Sequence, residues 1–273
     1  MPKPRTHRRQ QFEITLDVNQ DQFVSRPDPS QTNWVLERAL KEMADDLEHM
    51  DRVAKRFVPG SARPRIERPW RTSAASYDDT QLIINDQQVM QDWEYPYMEQ
   101  MARVVSGTNG DVLEVGFGMG ISATAIQRFG ARSHTIIECN QDVVAKFQAW
   151  RDGFPDRDIR VVFGTWQDAI DGLGLFDGIF FDTYPLTESE FTRYVVEDVT
   201  FARHFFEPAA RHLRPGGVLT YYSNEIDSLG RGHQRALFEH FREVTISVCR
   251  PLHPPTDCNY WWADSMVVTR AVK

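Results

Sequence analysis

The sequence predicts an α/β fold, a doubly wound and mostly parallel sheet with helices on both faces, preceded by a mostly helical N-terminal extension. Three observations predict it. From about Met101 onward short apolar runs alternate with longer amphipathic ones. A glycine-rich turn joins the first of those runs to the segment after it. Residues 1–66 differ from the rest in texture, which separates an extension from a body spanning 67–273.

The extension opens on a basic stretch through Lys3, Arg5, Arg8 and Arg9, and no apolar core of a signal peptide follows it. A strand candidate at Phe12 to Leu16 and a polar stretch with Pro27 and Pro29 come next. Over about 33–57 the apolar residues Trp34, Leu36, Leu40, Met43, Leu47, Met50 and Phe57 recur at three- and four-residue steps in the middle, the mark of an amphipathic helix that Pro59-Gly60 should stop. Its stripe is expected to pack on the same chain, and the heptad-like spacing also permits a homodimer seam.

In the body, strands are expected at Asp111–Val115, His134–Ile137, Ile159–Phe163, Gly178–Phe181 and Val218–Tyr222. Each is short and apolar, as strands covered on both faces are. Helices are expected at Ile121–Phe129, Gln141–Arg151 and Val199–Leu213, and Val244–Cys249 with Met266–Arg270 should close the sheet as an antiparallel pair.

At 273 residues the chain can bury one substantial core. A formal net charge of −8 disfavours broad binding to nucleic acid or to an anionic membrane, so small, neutral or cationic partners are expected. No apolar window is long enough for a membrane span. Cys139, Cys249 and Cys258 have no CxxC spacing, which suits neither a disulfide framework nor a zinc site and points to reduced thiols in a cytoplasmic protein.

The run Val112-Leu113-Glu114-Val115-Gly116-Phe117-Gly118-Met119-Gly120 passes from a strand through glycines into a helix, whose free amide groups suit a ligand brought close to the backbone. Glu138 ends the next strand, about 20 residues on, where a carboxylate can accept from both hydroxyls of a ribose. Ile121 stands where the dinucleotide fingerprint has its third glycine, which loosens the case for a NAD-dependent oxidoreductase. Trp166 and Gln167, after the third strand, offer an aromatic face and polar groups to an adenine. The plainer reading makes Trp166 core and Asp168 a helix cap.

Taken together, Val89 to Met98, Leu113 to Met119, Ile136 to Asn140, and Phe176 to Ile179 leading into Asp182-Thr183-Tyr184-Pro185-Leu186 resemble guanidinoacetate N-methyltransferase and its relatives. Arg214 to Tyr221 and Pro254 to Tyr260 extend the likeness, which covers about Trp70 to the C-terminus. The resemblance implies a class I methyltransferase (Rossmann-like) sheet of seven strands with the last antiparallel, and S-adenosyl-L-methionine as cofactor. It carries cofactor contacts onto Trp70, Met90, Met98, Phe117, Gly118, Met119, Gly120, Ile121, Ser122, Glu138, Cys139, Asn140, Trp166, Gln167 and Asp182.

Methyl transfer to a guanidinium has one chemical difficulty: at neutral pH the cation has no lone pair to offer. A carboxylate must hold the planar group and take a proton as the nitrogen attacks. The resemblance places Asp182, after the fourth strand, as proton acceptor and Glu94 as second clamp, on a stretch expected to fold over the site as a lid. Tyr184, beside the stiff Pro185, supplies an aromatic wall, and the run Tyr260-Trp261-Trp262 either adds to that wall or is ordinary core.

The sequence departs from the family at Asn224 and Glu225, which match the segment that binds the substrate's carboxylate. A second anion beside a carboxylate repels it by about 1 kcal/mol at ~4 Å even in water. The expected acceptor is therefore free L-arginine, with Glu225 pairing its α-amino group. Guanidinoacetate, which would yield creatine, and arginine within a protein are the alternatives.

Overall fold

The structure, a computed structural model, describes residues 65–273 together with Leu40, Lys41 and Ala44. The chain divides into two units, Met1–Ser61 and Ala62–Lys273, and the fold that follows is that of the second. The expected strand at 12–16, and the helix over about 33–57 with its homodimer seam, lie outside the described residues, apart from Leu40, Lys41 and Ala44, which are helical and exposed.

The described chain starts with a small antiparallel sheet of β1 (Ala75–Tyr77), β2 (Gln81–Ile84) and β3 (Gln87–Gln91). Asn85 and Asp86 join β2 to β3, both at positive φ (54° and 62°), as a two-residue type I′ hairpin turn requires. A single 3-10 turn, Asp92–Glu94, leads into helix α1 (Tyr95–Ser106), with Pro96 in its first turn, where a missing amide costs nothing. Tyr97, Met98, Met101, Ala102 and Val105 form its apolar stripe, and all five have 0% exposure.

The main sheet consists of β4 (Asp111–Val115), β5 (Ser133–Glu138), β6 (Asp158–Phe163), β7 (Phe176–Phe181), β8 (Leu213–Tyr221), β9 (Glu243–Cys249) and β10 (Met266–Val272). Its order is β6-β5-β4-β7-β8-β10-β9, parallel through β8, with β10 antiparallel to both neighbours. The remaining helices are α2 (Ile121–Arg128), α3 (Gln141–Arg151), α4 (Trp166–Ala169), α5 (Glu188–Phe191), α6 (Arg203–His212) and α7 (Arg231–Phe238).

Side chains alternate across a strand, so each strand feeds two cores. Val112, Ile136 and Phe180 join α1, α2 and α3 on one face. Leu113, Ile137, Ile179 and Phe181 join α6 and α7 on the other. All seven expected strands are present, and β9 and β10 form the expected antiparallel pair. The helix expected over 199–213 begins only at Arg203, after a turn at residues 201–202.

Among the described residues no helix is long and apolar enough to cross a membrane. The three cysteines are free thiols.

Candidate active site

The strand order reverses direction between β4 and β7, and the crevice at the carboxyl ends of those strands is where open α/β sheets bind ligands. Glu138 at the end of β5, Asp182 just after β7 and Tyr222 just after β8 continue the face that carries Ile136 and Phe180. Period two therefore delivers three polar side chains to one side of one crevice.

Gly116, Gly118 and Gly120 all have positive φ (93°, 53° and 75°). At Gly116 a Cβ would stand 2.0 Å from the carbonyl oxygen of Asp182, so this glycine lets the first and fourth strands approach. At Gly118 and Gly120 a Cβ would meet Met90 Sδ at 2.9 Å and the Phe117 ring at 2.7 Å. Glu138 holds the turn in shape: its carboxylate accepts from the backbone amides of Phe117 (3.0 Å), Cys139 (2.7 Å) and Asn140 (2.8 Å). Burial raises its pKa against the pull of those amides.

Other residues nominated from sequence gather around the turn, together with Tyr77, which was not among them. Met119 N donates to Met90 Sδ at 3.4 Å, and Tyr77 Oη donates to Gly118 O at 3.1 Å. Trp70 is buried and stacks on Tyr184, ring centroids 6.1 Å apart. Asn140 ties that segment down: its amide donates to Trp70 O and Ser73 O (both 2.8 Å), while its oxygen accepts from Asp142 N and Val143 N at the start of α3. All four hydrogen bonds of that side chain are spent inside the protein, which makes Asn140 an anchor.

Phe117 faces inward, edge-on to Phe147 and near Trp150, so only its backbone borders the crevice. Ile121 and Ser122 open α2, and Ser122 Oγ donates to Glu114, a fully buried carboxylate that His134 Nε2 also approaches at 2.9 Å. Met98 is wholly inside the core. Trp166 is half-buried against Phe205 (5.0 Å) on the opposite core, and Gln167 is exposed. Thr165, with Asp168 N bonded to its hydroxyl, caps α4.

The two carboxylates expected at the acceptor both face this crevice, with no cationic side chain paired to either among the described residues. Glu94 is 2% exposed, so in this structure its stretch lies closed against the body of the domain. Its Oε1 accepts from Tyr260 Oη (2.6 Å) and from Gln91 N (2.9 Å). Burial and then the Asp182 charge push its pKa up to about 8, although both hydrogen bonds pull the other way. Asp182 is half-buried, and burial followed by the Glu114 charge pushes it up to about 7.

Sequence reasoning gave Tyr260 no firm part, yet its hydroxyl is the side-chain partner that fixes Glu94. Trp93, beside Glu94 in the same turn, lies 5.9 Å from the Tyr260 ring. The spacing between these residues, more than 160 positions, carries no local signal.

At the far side, Asn224 is exposed with φ at 55°. Glu225 was expected to pair with a substrate ammonium. In the structure its Oε1 sits 3.0 Å from Nδ1 of the buried His233, whose Nε2 contacts Tyr221 Oη.

A seven-stranded sheet with an antiparallel penultimate position, and a glycine turn backed by an acid at the end of the second strand, define a class I S-adenosylmethionine-dependent methyltransferase. The family model described as guanidinoacetate N-methyltransferase matches residues 63–273, and the chain belongs to that family.

Among curated relatives, it is 33% identical over 159 residues to protein arginine N-methyltransferase 2 of Yarrowia lipolytica, covering 54% of this chain and 31% of that one. To the protein of the same name from Saccharomyces cerevisiae it is 30% identical over 182 residues, covering 62% and 40%. To that of Emericella nidulans it is 34% identical over 180 residues, covering 63% and 41%. The matched stretches thus span less than half the length of these relatives. Spermidine synthase from Thermotoga maritima superposes with a TM-score of 0.52 at 15% identity, covering 73% of this chain and 72% of that one, a likeness of fold alone.

The residues present suit the family's cofactor. The three glycines keep the turn free of side chains that would fill it, and the first-turn amides of α2 lack acceptors within the helix. The same turn would accept a dinucleotide, and it is the family match over residues 63–273 that sets the NAD alternative aside.

Proposed function

We propose that this protein methylates a guanidino nitrogen of arginine residues in a protein. The observation that carries the reading is the pair Asp182 and Glu94: two carboxylates in one crevice, both pushed towards neutral pKa, with no cation paired to them among the described residues. Buried charges in proteins are paired or held neutral. A site that leaves two acids unpaired is made for a cation that arrives from outside.

S-adenosylmethionine supplies the methyl group on a sulfonium centre. Glu138 is assigned to the ribose through the acceptor capacity its three amide bonds leave over, with Met90, Met119 and the backbone of Gly118 bordering the cofactor. Trp70 and Tyr184 form the wall between cofactor and acceptor. Glu94, held at Oε1 by Tyr260 and Gln91, clamps the guanidinium through Oε2, and Asp182 takes the proton that the attacking nitrogen gives up. Entry of the cation draws both acids to their ionised forms, because an adjacent positive charge lowers a carboxylate's pKa.

Two observations favour arginine in a protein over free L-arginine. The relatives with this sequence pattern are protein arginine N-methyltransferases. Glu225, on which the free amino acid depended, is engaged by His233.

The test is mass spectrometry after incubation with S-adenosylmethionine and, separately, arginine-containing proteins, free L-arginine and guanidinoacetate. Methyl groups on protein arginine are expected. Transfer to guanidinoacetate or free arginine alone would overturn the substrate assignment, and transfer to none of the three would overturn the reaction.

A further inference from the structure

Tyr222 was not singled out by the sequence reading, and the mechanism above does not use it. It follows β8 directly, and its backbone amide donates to Phe181 O at 3.0 Å, so it lies beside Asp182 at the lip of the crevice. Its ring packs edge-on to Tyr97, centroids 5.4 Å apart at 78°, and Tyr97 is fixed in turn by its own hydroxyl on Val267 O at 3.0 Å. The Tyr222 hydroxyl is therefore held in place. It is also out of contact with water and has no hydrogen-bond partner among the described residues.

A buried hydroxyl without a partner calls for an explanation. The groups whose charges act on this one are Glu94, Tyr260, Asp182 and Tyr97, which are the groups around the acceptor position. Burial first, and then those acids, keep the phenol protonated and neutral. A neutral phenol oxygen can accept as well as donate. Among the described residues no N–H reaches it, whereas a guanidinium brings five N–H groups in one plane.

We propose that the Tyr222 hydroxyl accepts a hydrogen bond from the guanidino group, as a third contact beside Asp182 and Glu94, and thereby fixes which nitrogen faces the methyl donor. The inference rests on the reading of the site as a guanidino methyltransferase. Two carboxylates alone leave a planar cation free to bind in more than one rotation about its own centre. A third contact removes that freedom. It also disfavours a second round of transfer, since a methylated nitrogen has one N–H fewer to offer.

The test is Tyr222→Phe, which keeps the ring against Tyr97 and removes only the oxygen. With the protein loaded with S-adenosylhomocysteine, calorimetric binding of N-acetyl-L-arginine amide is expected to weaken about tenfold, the usual scale for one hydrogen bond to a charged group. The affinity for S-adenosylhomocysteine should be unchanged. Mass spectrometry of the products should show either a second methylated isomer or a second methyl group. The unfolding temperature should stay the same or rise, because no internal partner is lost.

Unchanged arginine-amide affinity with an unchanged product pattern overturns the inference and leaves the site reading intact. A lowered unfolding temperature with no change in product also overturns it, in favour of a packing role. If the parent protein binds no guanidine and transfers no methyl group, the site reading fails and this inference with it.

Discussion

The two ends of β4 and β7 treat their acids in opposite ways. At the amino ends, Asp111 and Asp177 lie in a network with Arg132 and Arg214: Asp111 Oδ2 to Arg132 Nη2 at 2.6 Å and to Arg214 Nη2 at 3.0 Å, and Asp177 Oδ2 to Arg214 Nη1 at 2.8 Å. The Arg132 guanidinium beside Asp111 holds that carboxyl well below the usual range, against a smaller opposing effect of burial. At the carboxyl ends, Asp182 and its neighbour Glu94 have no such partner among the described residues, and burial pushes them up to about 7 and about 8. The same two strands thus carry one pair of acids that already have their guanidinium groups and another pair still waiting for one. The first pair ties strands together, and the second is the pair to which the proposed function gives the guanidinium.

That contrast is broken most directly at Asp182. Asp182→Asn keeps the shape of the side chain and removes its capacity to take a proton, so kcat should fall by about 10²- to 10⁴-fold, the range for loss of a general base. Calorimetric affinity for S-adenosylhomocysteine should be retained. A variant that transfers methyl groups at the parental rate would show that this end of the sheet is as structural as the other.

Gly116→Ala attacks the same point through the backbone. Its Cβ would need the space of the Asp182 carbonyl at 2.0 Å, on a residue whose φ of 93° disfavours any side chain. Unlike Asp182→Asn, it should weaken cofactor binding and methyl transfer together, by more than tenfold each on the scale of a main-chain clash. Equilibrium binding and initial rates, measured side by side, distinguish the two variants.

How much of this was legible in the sequence follows from the range of each signal. The main sheet was readable because buried parallel strands are short apolar runs, and Gly116, Glu138 and Asp182 mark their carboxyl ends. The hairpin over 75–91 was missed, although Asn85-Asp86 between Leu82-Ile83-Ile84 and Val89-Met90 is the local signature of a tight turn. Its strands are three to five residues long and rich in glutamine, which conceals their alternation.

The acid pair itself was reached through family resemblance. The burial of Glu94, its bond from Tyr260, and the pairing of His233 with Glu225 depend on contacts across long stretches of chain. Local pattern does not record such contacts, because they are made only when the sheet and α1 bring the segments together.

The pH dependence sharpens the comparison. In the free enzyme both acids must lose their protons before a guanidinium can be gripped, so kcat/KM should rise with pH through about 7 to about 8 as two coupled steps. Tyr260→Phe removes a hydrogen bond that lowers the Glu94 pKa, so the rising limb should move to higher pH, with a loss of about tenfold at neutral pH.

Stability runs the other way. Both groups keep protons in the fold that the unfolded chain gives up near pH 4, so their contribution to stability declines as pH rises from about 4 towards 7 and 8. Glu94→Gln should flatten that decline in cofactor-free protein, as followed by thermal unfolding at pH 5 and pH 8.

The smallest effect is expected at the satisfied end. Asp177→Asn weakens its bonds to Arg214 and Arg132 and its bond to the Asp111 amide (2.8 Å) while leaving a neutral acceptor in place. Arg132 is 63% exposed, so water screens much of what it contributes, and a loss of about 1 kcal/mol is expected for the whole substitution. That should lower the unfolding temperature by a few degrees at most for a chain of this size. kcat, KM and the pH profile should be unaltered, because no atom of the network lies at the carboxyl ends of the strands. A changed pH profile would mean that the two ends communicate electrostatically through the sheet. Asp182 would then owe part of its proton affinity to charges at the far side of β7, beyond the burial and the Glu114 carboxylate that account for it here.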